Sequence, residues 1–117
     1  MPSYLLLLHE NPARSAALSA AELQDIIHAH QAWAERLAAA GALLGGEKLT
    51  DDGGRRLHFE GDRPVASDGP YAEAHDVVGG YYLLKAADMA AAEALAAGCP
   101  HRQAGQWIEL RQVEDLG

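Results

Sequence analysis

Only one of the 117 residues is a cysteine and only nine are lysine or arginine. A lone thiol, Cys99, cannot close an internal disulfide and brings no second cysteine to a thiolate metal site, the pattern of a chain kept in a reducing compartment. No neighbour in the sequence marks it as a nucleophile. Nine cations against 17 carboxylates give a formal charge of -8, so a phosphate backbone or an anionic lipid surface is repelled rather than gathered, which argues against direct nucleic-acid binding. The apolar run near the N-terminus, Tyr4 to Leu8, is far shorter than a membrane span or a signal-peptide core. The expected setting is therefore cytoplasmic, with no membrane partner. Repeats and linkers are also absent, which leaves one domain over residues 1–117 with a single core.

What is present reads as alternating strands and helices. Tyr4 to His9 is apolar without alternation, as in a strand buried on both faces. Asn11 to Leu18 is a polar connection. Ser19-Ala-Ala-Glu22 then has capping-box spacing, and the stripe Leu23, Ile26, Ile27, His30, Trp33, Ala34 and Leu37 predicts a long helix that stops at Gly41. Ala42 to Leu49 extends as a second strand, with a bulge or close backbone approach at Gly45-Gly46. Arg55 to Phe59 and Pro64 to Ala66 form a minor hairpin at the sheet margin, followed by a loop from Ser67 to Asp76. Val77 to Leu84 is a second run apolar on both faces, broken only by Gly79-Gly80. Asp88 caps a short Ala-rich helix reaching about Ala97, before Gly98 and Pro100. Gln106 to Val113 alternates as an edge strand, with Ile108 and Leu110 on one face and Glu109 and Arg111 on the other.

This order gives an α+β fold, two split βαβ units with an inserted hairpin on the ferredoxin-like plan. In that plan the first and third main strands are central, and these are the two runs apolar on both faces. Helices cover one face of the sheet only. The other face needs a cover, and a second copy packing sheet on sheet supplies it, so the expected assembly is a homodimer of the dimeric α+β barrel type.

Asp68-Gly69-Pro70 is a turn whatever the function: Asp accepts a downstream amide, Gly permits positive φ and Pro fixes its own φ at a negative value. The functional reading is that the turn aims Asp68 and Glu73 into a cleft beside the central strand, where a carboxylate orients or deprotonates a neighbour. His30 lies on the inward stripe of the long helix while His28 points away. An inward histidine is more often a hydrogen-bonded core residue than a catalyst, but a carboxylate beside it would fix its tautomer and make a general base. His28 and His30 cannot share a metal ion, being two residues apart on a helix. Gly79-Gly80 lacks the helix start of a phosphate loop, which favours close approach of a strand or ligand. Of Tyr81 and Tyr82, one faces the helices and the other the opposite side.

The segment Asp68-Gly-Pro-Tyr-Ala-Glu-Ala-His-Asp-Val-Val-Gly-Gly-Tyr-Tyr-Leu-Leu resembles the signature of the DGPF branch of the YCII-related family. Gly45-Gly46-Glu47, Cys99-Pro100-His101 and Ile108-Glu109-Leu110-Arg111 match further landmarks, so that the resemblance covers almost the whole chain. Tyr71 stands for the usual Phe, His75 for a common Lys and Asp76 for a common Glu. The resemblance implies a ferredoxin-like dimer with a cleft near the signature loop, and a helix-borne histidine about three turns before a terminal glycine, the spacing of His30 from Gly41. Some relatives carry a catalytic His and Asp site, and other domains of this kind accompany sigma factors.

Two functions follow as expectations. The first is a cofactor-independent enzyme acting on a small organic molecule by proton transfer or lyase-type chemistry, with His30 as base and Asp68 as its orienting carboxylate. The surrounding binding set is Gly69, Pro70, Tyr71, Glu73, Gly79, Gly80 and Tyr81, and no metal or cofactor is required. The second is a non-catalytic metabolite-binding or transcription-associated interaction module built on the same loop.

Overall fold

A computed structural model describes residues 1–68 and 76–117. The sequence begins with β1 (Ser3–Glu10), a short α1 (Pro12–Ala16), α2 (Ala20–Ala39) and β2 (Leu43–Lys48). A hairpin of β3 (Arg55–Glu60) and β4 (Arg63–Asp68) follows, then β5 (Val77–Lys85), α3 (Met89–Ala96) and β6 (Trp107–Gln112). This is a mixed α+β fold.

Four strands form one antiparallel sheet in the order β2-β5-β1-β6. The two runs without alternation therefore lie in the middle, and the alternating one, β6, lies at an edge. On β1 the buried residues are Tyr4, Leu6 and Leu8. Leu6 sits opposite Tyr82 and Leu110, and Tyr4 opposite Leu84. Trp33 and Leu37 of α2 join this face in one core cluster, and Ala92 of α3 packs with Tyr4 in another. Both long helices thus cover the same side. On the opposite side Leu5, Leu7, Tyr81 and Leu83 are only half-buried, with Trp107 46% exposed beside them.

Local chemistry explains the helix bounds. Ser19 Oγ accepts from the Glu22 amide and Glu22 Oε1 from the Ser19 amide, both at 3.1 Å, closing the expected capping box. At the other end Gly41 takes φ 73°. The Ala42 and Gly41 amides then bond the Leu37 and Ala38 carbonyls, which is a Schellman stop. α1 was not expected within the connection. It forms because Asn11 Oδ1 accepts the Ala13 amide at 3.0 Å and Pro12 occupies the first helical position, where its missing N–H costs nothing.

Two irregularities matter for the site. The pairing of β2 with β5 shifts between Leu43 and Gly45, and that of β1 with β5 shifts between Leu8 and His9. The second shift leaves Gly79 as the extra residue, between Gly80 paired with Leu8 and Val78 paired with His9. The hairpin differs from its expected place at the sheet margin: among the described residues β3 and β4 pair only with each other. It runs on to Asp68, where Arg55 sits directly opposite, and it leaves Leu57 and Phe59 66% and 68% exposed. The radius of gyration, 16.1 Å, exceeds the roughly 13 Å of a compact chain of this length, as a protruding arm requires.

Candidate functional site

Where α1 and the first half of α2 cross the ends of β1 and β5, a cavity of about 570 Å³ opens. Leu18, Leu23, Ile26 and Ile27 form its apolar wall, and His30 lines its depth. A wider hollow of about 950 Å³ lies between residues 1–3 and 112–117. It is open, lies outside the packed core and brings no histidine or tyrosine together.

His30 Nδ1 is 2.7 Å from the Tyr82 hydroxyl, and Tyr82 stands edge-on to Trp33 at 4.9 Å. Tyr82 finds room because the strand beside it carries glycine: a Cβ on Gly46 would sit 2.8 Å from Tyr82 Cδ1 and from the Tyr81 carbonyl oxygen. Burial, and secondarily Cys99, pushes the Tyr82 hydroxyl up to about 12, so it keeps its proton and needs an acceptor. The roles in this bond follow the imidazole tautomer: a bare Nδ1 accepts the hydroxyl proton, and an Nδ1–H donates to the hydroxyl oxygen. With a bare Nδ1 the imidazole proton sits on Nε2, which makes no hydrogen bond among the described residues and is not sealed in the core. That tautomer presents an N–H donor to the cavity, and the other presents a bare nitrogen.

His101, 7% exposed, lies edge-on to His30 at 6.2 Å. Its Nε2 donates to the His9 carbonyl oxygen at 2.7 Å, since a carbonyl can only accept. His9 itself belongs to the other face, where its ring stacks on Trp107 at 3.9 Å and its Nε2 meets Glu109 at 3.0 Å. Trp107 Nε1 donates to Asp76 Oδ2 at 3.1 Å.

Burial first, and the nearby His101 second, lower the pKa of His30 from its ordinary 6.5. A base depressed on folding binds its proton more readily in the unfolded chain. The resulting stability is complete above pH about 6.5 and is lost as pH falls through the lowered folded value. Urea midpoints measured from about pH 7.5 down to 5 should decline with a slope no steeper than one proton per molecule. His30→Gln should flatten that part of the curve.

Of the residues singled out in the sequence, His30, Gly79, Gly80 and Tyr81 border this cavity. Asp68 does not. It ends β4 with its side chain 89% exposed and paired to Arg55 Nη1 at 2.9 Å. Gly69, Pro70, Tyr71 and Glu73 fall outside the described residues. His28 points outward to Gln24 at 2.9 Å, and among the described residues no three metal-ligating side chains converge. Cys99 is buried, and its thiol is pushed up by that burial. Sequence reasoning left Tyr82 without a partner and passed over Glu10. The signal for Tyr82 is its parity: it shares the face of Gly80 and Leu84, opposite Leu6, under the stripe that carries His30 and Trp33.

The family model of the YCII-related domain matches residues 3–116. No curated protein matches the chain.

Proposed function

We propose that this chain, which belongs to the YCII-related domain family, is a homodimeric protein that binds a small organic molecule against α2 through the Nε2–H of His30. The observation that carries this reading is the imidazole bonded through Nδ1 to Tyr82 and lining a cavity whose α2 side is apolar. Such sites, mostly apolar with a few placed polar groups, suit small ligands. A neutral N–H favours an oxygen acceptor such as a carbonyl.

The order β2-β5-β1-β6 with both helices on one face supports the ferredoxin-like plan, and the half-covered Leu5, Leu7, Tyr81 and Leu83 support sheet-on-sheet pairing of two copies as a dimeric barrel. We read the chain as a DGPF-branch member on its Asp68 to Leu84 segment.

A second reading, a cofactor-independent enzyme, draws on the same imidazole. A neutral N–H can stabilise an oxyanion developing on a carbonyl. In this reading His30 acts as electrophile more readily than as base, because Tyr82 occupies Nδ1. The partnership of His30 with Asp68 would require the hairpin to surrender the Arg55 pair and deliver Asp68 to the cavity.

Amide correlation spectra of the isotope-labelled protein, recorded against a library of small carbonyl compounds, test the binding reading. Hits should cluster on Ile27, His30, Gly80 and Tyr82 and vanish in His30→Phe. Hits confined to other surfaces, or retained in that variant, would remove it.

A further inference from the structure

Resting on the reading of this cavity as a ligand site, we infer that its ligand is a small primary amine whose ammonium group is held by Glu10. Glu10 ends β1 just beyond the bulge and lines the cavity. Ser15 Oγ donates to its Oε2 at 3.1 Å, which fixes the carboxylate, while Oε1 receives no hydrogen bond among the described residues. Gly79 makes the space: a Cβ there would collide with that same Oε1. The extra glycine of β5 therefore seats a carboxylate at the cavity, a role that strand pairing alone does not need.

Among the described residues no lysine or arginine side chain pairs with Glu10. Among the described residues the one lysine or arginine lining the cavity, Lys48, is engaged by Asp51 Oδ1 at 3.1 Å and by the Leu49 carbonyl at 2.9 Å. Burial, and secondarily His101, disfavours a charge on His30. Glu47 adds negative charge to the lining, on a chain of formal charge -8. An anionic ligand would be repelled, and a neutral apolar one would strip water from Glu10 without replacing it. An ammonium group meets the carboxylate, its apolar body meets Leu18, Leu23 and Ile27, and an oxygen on the same molecule can take the His30 N–H.

Three probes that share an isobutyl body separate the possibilities: L-leucinamide, a cation at about pH 7; 4-methylpentanamide, which is neutral; and 4-methylpentanoate, an anion. Leucinamide should saturate shifts at the amides of Glu10, Ile27, Gly79 and Gly80. The other two should bind those residues at least about tenfold more weakly, the scale of one charge-assisted bond. Glu10→Gln, isosteric and still able to accept from Ser15, should abolish the preference while leaving the rest of the spectrum in place. Equal binding by the neutral or anionic probe, or leucinamide binding unchanged in Glu10→Gln, overturns the amine and leaves the ligand site standing. Silence of all three probes at these amides overturns both.

Discussion

Leu6→Ala should lower the unfolding free energy by about 2–5 kcal/mol, which for a domain of ordinary stability is a large part of the total. Leu6 is fully buried, lies between Tyr82 and Leu110 in the sheet, and packs in the cluster formed by Trp33, Leu37 and Leu84. Truncation removes its transfer energy and leaves a void that two flanking strands and a capped helix cannot readily close. Chemical denaturation should show an earlier midpoint with an unchanged slope. A cost below about 0.5 kcal/mol, the range of surface positions, would mean that the middle of the sheet is not where the core lies.

One residue further along the strand, Leu7→Asp should act on assembly instead. Leu7 points to the side the helices leave uncovered, between Tyr81 and Glu109, so the new carboxylate faces a like charge and, in a dimer, an apolar partner surface. Burying an unpaired charge there costs several kcal/mol, enough to weaken association by roughly a thousandfold. Sedimentation at micromolar concentration should show the unmodified chain as a dimer and Leu7→Asp as a folded monomer. A variant that stays dimeric would place the interface elsewhere, the exposed Leu57 and Phe59 of the hairpin being the next apolar surface. Adjacent leucines with opposite consequences are what a strand's alternation demands.

Much of this architecture was legible in the residues. Runs apolar on both faces marked β1 and β5 as central, because only a strand covered on two sides tolerates them. Ser19 and Glu22 marked the start of α2, and the alternation of β6 marked an edge. The hairpin was placed less well: its strands were recognised, but whether they join a sheet depends on tertiary packing that a run of six residues does not encode. Asp68 lies away from the cavity for a related reason. Its turn chemistry is strong, yet β4 extends two residues past Ala66 and sets Asp68 across from Arg55, a cross-strand pairing visible only once the register is known. His30 was found from its stripe. Its partner was not, because the contact with Tyr82 joins residues 52 apart and depends on Gly46 leaving room.

The proton inventory of the His30 ring bears most directly on what the cavity can do. A long-range proton–nitrogen correlation spectrum of isotope-labelled protein near pH 7.5, assigned by loss of one ring in His30→Gln, reads each imidazole nitrogen separately. The account predicts a bare, hydrogen-bond-accepting Nδ1 and a protonated Nε2, with Tyr82→Phe releasing that preference. A protonated Nδ1 with a bare Nε2 in the unmodified protein would make His30 a base toward the cavity and contradict it.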